Sequence, residues 1–166
     1  TAWSELDYLI IDLPPGTGDV QLTLMKKVML TGAVIVTTPQ DVATYDARKG
    51  LEMFLKMQTP VLGVVENMST YQCSRCGHQE AIFGDGGAKR LANSCQVPII
   101  GQLPLASCIR EGADEGKPIV IHNPSHAASQ EYHRIAQQLI TTVQSNQQSA
   151  FPQIVVEKLK GEADGH

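Results

Sequence analysis

Short, unbroken apolar runs punctuate the chain: Leu6-Asp7-Tyr8-Leu9-Ile10-Ile11-Asp12, Ala33-Val34-Ile35-Val36-Thr37-Thr38, Val61-Leu62-Gly63-Val64-Val65-Glu66-Asn67 and, more weakly, Val97-Pro98-Ile99-Ile100-Gly101. Runs of this length, closed by an acid, Pro or Gly, predict strands buried on both faces of a parallel sheet. Between them the hydrophobic period lengthens. A helix over 21–28 follows the first run. Over 43–57, Asp46, Lys49 and Glu52 mark a polar face, opposed by Leu51, Phe54, Leu55 and Met57. A further helix over 125–143, capped by Ser125, sets Tyr132, Ile135, Ala136, Leu139, Ile140 and Val143 at i, i+3, i+4 spacing. Beyond Gln144 the chain is polar, with Phe151-Pro152 and Ile154-Val155-Val156 as its apolar patches; this tail is expected to be loose or to dock weakly.

Strands alternating with helices predict right-handed crossovers and a doubly wound α/β architecture with a mostly parallel sheet. Two segments result, a domain over 1–143 and a polar tail over 144–166. Ligands of such sheets sit outside the carboxyl ends of the strands. Three of those ends carry unusual chemistry: the segment from Asp12 onward, residues 37–40 and residues 66–69.

Composition narrows the classes. The 166 residues are 42% hydrophobic and 18% charged, enough for a packed core in one domain. A net charge of −4 argues against a non-specific nucleic-acid binder. The apolar runs are far shorter than the roughly 20 residues of a membrane helix. Thr1-Ala2-Trp3-Ser4-Glu5 has neither a basic region nor an apolar core, so no signal peptide is read there. Four cysteines are too few for a disulfide scaffold. The expectation is a soluble, reduced, cytoplasmic protein that engages neither nucleic acid nor membrane.

The densest motif is Asp12-Leu13-Pro14-Pro15-Gly16-Thr17-Gly18-Asp19. An acid at a strand end can hold a carboxylate against Mg2+ or its water shell. Gly16 and Gly18 let backbone N–H groups approach a phosphate. The plainer reading is a tight turn before a helix capped by Asp19. Gly84-Asp85-Gly86-Gly87-Ala88-Lys89-Arg90 is no phosphate loop, for it lacks a Gly-Lys step and a following hydroxyl. Cys73-x-x-Cys76 stands in a polar loop over 71–78 and has three physical readings: half a metal site, a redox dithiol, or chance. Its setting lacks the strand-to-helix step of a thioredoxin-like dithiol. A cluster or zinc site takes four thiolates, so a second pair is required. Cys95 reads as a small buried hydrophobe, Cys108 has no partner at metal-site spacing, and His78 reads as a solvated loop residue. The other histidines, His122, His126, His133 and His166, suggest no nucleophile–base pair.

Taken in order, residues 6–19, residues 30–41 with Asp46-Ala47-Arg48-Lys49-Gly50, Val65-Glu66-Asn67-Met68-Ser69, and Cys73-x-x-Cys76-Gly77 followed by Ile82-Phe83-Gly84 resemble one family. It is the Mrp/ApbC group of iron–sulfur carrier ATPases, relatives of the MinD/ParA deviant-Walker NTPases, and the resemblance covers roughly residues 4–141. It implies a P-loop NTPase fold whose Gly/Lys-rich loop lies upstream of residue 1, so the chain is expected to be the C-terminal part of such an ATPase and inactive as an enzyme alone. It further implies that Asp12 is the Mg2+-associated acid, that the Gly16 amide senses the γ-phosphate, that Asn67 recognises adenine and that Pro104 flanks it. For Cys73 and Cys76 it implies a 4Fe–4S cluster shared across a homodimer and delivered to apo iron–sulfur proteins, with ATP and Mg2+ as the intact family's ligands. Zinc is the competing metal, because Cys-x-x-Cys-Gly-His also looks like half a zinc ribbon. A MinD/ParA-like positioning switch and a non-functional fragment are the competing functions. A partial domain is also expected to leave one sheet edge unpaired.

Overall fold

The computed structural model of the protein describes residues 5–73 and 75–150. Elements run in the order α1 (Asp19–Lys27), β1 (Ala33–Thr37), α2 (Asp41–Lys56), β2 (Val61–Glu66), β3 (Tyr71–Gln72), β4 (Gln79–Glu80), α3 (Gly87–Cys95), β5 (Ile99–Gln102), α4 (Ser107–Asp114), α5 (Ile119–His122) and α6 (Ala127–Ala150). The Val- and Ile-rich runs pair as parallel strands in the order β1-β2-β5, with Ile35 opposite Val64 and Glu66 opposite Gln102. Successive side chains of a strand point to opposite faces, and the core divides accordingly. Ala33, Ile35 and Val64 face Leu51, Met53 and Phe54 of α2 and Ala88, Leu91 and Ala92 of α3. Val65 and Ile100 face Ile135 of α6, with Tyr132 and Leu139 alongside. Leu51 and Val64 are wholly buried, each worth about 2 kcal/mol of transfer free energy. The result is a mostly parallel sheet with helices on both faces.

Five expectations need correction. Residues 6–12 form no strand, and Ile10 is 87% exposed. A strand exists only if a neighbour takes its ladder hydrogen bonds. β1 pairs with β2 alone, and Val36 on β1 is 61% exposed. The run is apolar enough for a buried strand but has no ladder partner among the described residues. Only Leu13, at its end, packs on the core. In α2 the buried face takes Met53 in place of Leu55, which is exposed. Ala136 of α6 likewise faces away from the core. At the helix starts, Gly18 rather than Asp19 is the N-cap of α1. His126 rather than Ser125 caps α6: its Nδ1 accepts the Ala128 N–H at 3.1 Å, while the Ser125 hydroxyl donates to Asn123 Oδ1. The imidazole lies one residue nearer the free N–H groups than the serine does.

α6 runs on through the position where the polar tail begins, to Ala150. Phe151-Pro152 and Ile154-Val155-Val156 lie outside the described residues. Among the described residues no helix is long and apolar enough to cross a membrane.

Candidate functional site

Gln21 organises the loop that precedes α1. It is buried, and its Nε2 donates to the carbonyls of Pro14 at 2.8 Å and Gly16 at 3.3 Å. Gly16 sits at φ +91, a backbone conformation that strains any side chain, and nothing lies within 4 Å of where a Cβ would project. Pro14, Pro15 and Gly16 thereby form one wall of a groove of about 390 Å3. β1 supplies its floor through Val34, Ile35, Val36 and Thr37, and Asn67 closes its end. Two of the residues singled out by sequence, Gly16 and Asn67, thus meet in one groove although 51 positions separate them. Asp12 and Pro104 are not among its walls. Asp12 is exposed before the loop, and Pro104 is half-buried beyond β5.

The strand ends beside this groove are joined by hydrogen bonds. Asn67 N–H donates to Thr37 O at 2.7 Å, and Asn67 Oδ1 accepts the Met68 N–H at 2.9 Å. One lone pair of Oδ1 is therefore engaged in a turn, while the side-chain NH2 has no partner among the described residues. Glu66, buried at 2% exposure, was missed by sequence reasoning. Its carboxylate accepts the Ala88 N–H at 3.0 Å and the Gln102 side-chain amide at 2.8 Å. A carboxylate at a helix N-terminus satisfies an orphan donor and favours the dipole. It takes up one of the free N–H groups at the glycine-rich start of α3. Gly87 lets this helix start approach the β1–α2 loop, for a side chain there would collide with the Pro39 carbonyl. The sequence shows a glutamate closing an apolar strand, and nothing in it places a helix start against that carboxylate.

Cys73 and Cys76 lie on the turn of the β3–β4 hairpin, which pairs Tyr71 with Glu80 and Gln72 with Gln79. Cys73 N–H donates to His78 O, and Gly77 N–H donates back to Cys73 O, both at 2.9 Å; Gly77 takes φ +72 to allow it. This folds the backbone into a knuckle around the first sulfur. The Cys76 N–H, then the Arg75 N–H and the Cys76 thiol, hold the Cys73 thiol below the ordinary thiol range. Cys76 and His78 are exposed and Cys73 is half-buried. Among the described residues no third His, Cys, Asp or Glu joins the pair. The knuckle offers two thiolates and leaves the remaining ligands of a metal to come from elsewhere.

Cys95 ends α3 and packs against the core, as its reading as a small hydrophobe requires. Cys108 differs from expectation. Its Sγ lies 3.8 Å from His126 Nε2, on an element 18 residues away in sequence. Only the packing of α4 beside the start of α6 brings the two together, so the spacing of the residues carried no signal.

Comparison with known proteins bears on the family and the fold. A family model described as ParA, a NUBPL iron-transfer P-loop NTPase, matches residues 1–140. An iron-sulfur cluster carrier protein of Pseudomonas fragi is 57% identical over 136 residues, 82% of this chain and 47% of that protein. The iron-sulfur cluster transfer protein NUBPL of Mus musculus is 46% identical over 144 residues, 87% of this chain and 45% of that one. Among solved structures, a nucleotide-binding protein of Archaeoglobus fulgidus in complex with ADP superimposes with a TM-score of 0.61 at 43% identity, covering 69% of this chain and 47% of its own. The cell division ATPase MinD of Pyrococcus furiosus, at 24% identity and a TM-score of 0.64, covers 82% of this chain and 53% of its own, a likeness of fold. The chain spans about half the length of the relatives it matches.

Proposed function

Since the chain belongs to the family of NUBPL-type iron-transfer P-loop NTPases, we propose that it is the cluster-holding part of an iron–sulfur carrier. The cargo is a 4Fe–4S cluster bound by Cys73 and Cys76 of two chains and passed to apo iron–sulfur proteins. The observation that carries the reading is the Cys73–Cys76 knuckle: a half-buried and an exposed thiol, the first held below its ordinary range, on a hairpin that follows the carboxyl end of β2. Two thiolates per chain and four ligands per cubane make a two-fold pair the economical solution. Transfer is then a ligand exchange. Recipient thiolates replace those of Cys73 and Cys76, which leave as thiolates, and no electron changes hands. A Cys73 thiol held below its ordinary range ionises more readily, which serves both capture and release. Such chemistry needs reduced cysteines, which suits a cytoplasmic location.

Nucleotide belongs to the same reading. The groove between Gly16 and Asn67 is the place for ATP in the longer protein, with the Asn67 amide toward the base, Pro104 flanking it, and Asp12 near Mg2+. Most phosphate contacts of such NTPases come from a Gly/Lys loop, which residues 84–90 do not supply. These 166 residues by themselves are therefore expected to bind ATP very weakly and not to hydrolyse it. Micromolar binding by calorimetry would overturn that part.

Anaerobic reconstitution tests the cargo. The expected product is brown, with about four irons per two chains. Cys73→Ala or Cys76→Ala abolishes it, while Cys95→Ala and Cys108→Ala do not. Stoichiometric zinc with no iron uptake would replace the cluster with a zinc site. Iron retained by the Cys73/Cys76 double variant would end the assignment.

A further inference from the structure

The cysteine hairpin is not an independent appendage. Beyond the sheet, β2 and β5 continue to bond across the Asn67–Met68 turn, where Met68 takes φ +55. Leu103 N–H donates to Glu66 O at 2.8 Å on the sheet side of that turn. On its far side the Ser69 N–H and the Ser69 hydroxyl both donate to Leu103 O, at 3.0 and 3.1 Å. Leu105 N–H then donates to Thr70 O at 2.8 Å, and Tyr71, the first residue of the hairpin, bridges to Leu105 in parallel register. Pro104 lies inside this interrupted ladder and Asn67 at its bend. One backbone track therefore runs from the groove end to Cys73.

We propose that Ser69 is a positioning residue that clasps the two strand extensions together, so that a ligand held at the cysteine knuckle stiffens the Asn67–Pro104 end and a ligand there stiffens the knuckle. Ser69 is the joint because it is the first residue to resume the pairing after the turn, with two donors on one carbonyl. Met68, in the left-handed conformation, interrupts the ladder at the preceding position. Free energy spent on ordering one end of the track is then not spent again at the other, which makes the two sites mutually reinforcing. The inference rests on the reading of Cys73 and Cys76 as a metal-thiolate site, and it supplies the route by which nucleotide and cluster occupancy are linked.

The test uses the full chain, 15N-labelled and anaerobic, with Co2+ alone as the probe of the knuckle. Its thiolate charge-transfer band reports binding, and amide exchange reports the track. Loading is expected to slow exchange at Leu103 and Leu105 on the order of tenfold, as well as within the hairpin. Ser69→Ala keeps the charge-transfer band and the exchange of Ile35 and Val64 in the sheet, but removes most of the protection at Leu103 and Leu105. Ser69→Thr, which keeps the hydroxyl, restores it. Without metal, Ser69→Ala should already speed exchange at Leu105 and Cys73 by about fivefold, the loss of one modest hydrogen bond. Unchanged exchange at both amides in the metal-free variant overturns the clasp, as does Co2+ protection that ends at Gln72. If no Co2+ binds, the metal reading fails alone, and the metal-free comparison still decides the clasp.

Discussion

Two apolar segments of this chain have nearly the same sequence character and opposite fates. Residues 61–66 become β2, with Leu62, Val64 and Val65 buried and partners on both sides. Residues 6–12 are as rich in Leu and Ile, yet they form no ladder and leave Leu6, Tyr8, Leu9 and Ile10 about half exposed or more. What separates them is supply of neighbours. β2 lies between β1 and β5, under α2 and α3 on one face and α6 on the other. Among the described residues the first segment has no ladder partner, and the outer edge of β1 is unpaired. Burial is a property of the assembled layers, and an apolar run reports only that it can be buried.

The comparison breaks most sharply through core truncation. Leu51→Ala, opposite β1 and β2, is expected to cost about 2–5 kcal/mol, and Ile10→Ala no more than about 0.5 kcal/mol. Urea unfolding followed by circular dichroism measures both. A large loss for Ile10→Ala would mean that the first segment is packed after all.

The two strand-end acids give the next contrast. Glu66→Ala strands the Ala88 N–H in a buried setting and frees Gln102, which should cost about 1–3 kcal/mol. Asp12→Ala, at an exposed position, should leave the unfolding midpoint unchanged. Equal effects would remove the distinction between a buried, hydrogen-bonded acid and an exposed one.

That pair also shows how far the sequence could be read. The three paired strands were legible because Val and Ile runs of about six residues have few other uses. Gly16 and Asn67 were singled out by dense, ordered motifs and Cys73 and Cys76 by their spacing; the fold brings the first two to one groove and sets the other two on one hairpin turn. Glu66 was not singled out, since a lone acid at a strand end gives no hint that a helix start will descend on it. Nor was the Cys108–His126 contact, which depends on how two helices pack. The failed strand over 6–12 has the same cause: its periodicity was right, and its neighbours cannot be read from its own residues.

The β1 edge, unpaired among the described residues, and the exposed Ile10 and Met29 are surfaces open to association. The chain is expected to self-associate in sedimentation velocity. Val36→Lys with Ile10→Lys should weaken that association by about tenfold, since charges on an edge oppose pairing. The Leu55→Lys variant, exposed on α2 away from the edge, should not change it. An oligomer indifferent to the first pair would place the interface elsewhere.

The smallest effect belongs to the well-covered side, where Glu131 and Arg134 pin α6 to β5. Arg134 meets Glu131 Oε1 at 2.6 Å and Oε2 at 2.8 Å and also reaches Ile100 O, while Glu131 Oε1 accepts the Gln102 N–H. The Arg134 side-chain bonds, against an opposing push from partial burial, hold the Glu131 carboxyl below its ordinary value, with the Gln102 N–H and the Arg134 charge acting in the same sense. Because the folded value is the depressed one, the stabilisation is complete above the unfolded carboxylate range, near pH 4.3, and is lost as pH falls through the folded value. Arg134 is about half exposed, so water screens the pair and Glu131→Gln should cost only about 0.5–1 kcal/mol at neutral pH. Gln keeps an acceptor for the Gln102 amide, so the variant isolates the charge. Thermal unfolding of both proteins should differ by a constant amount from pH 7 to about pH 5 and converge as pH falls through the depressed folded value of Glu131. A difference that persists undiminished at acid pH would mean that the contact works through packing and that the carboxylate charge contributes nothing to holding α6 on the sheet.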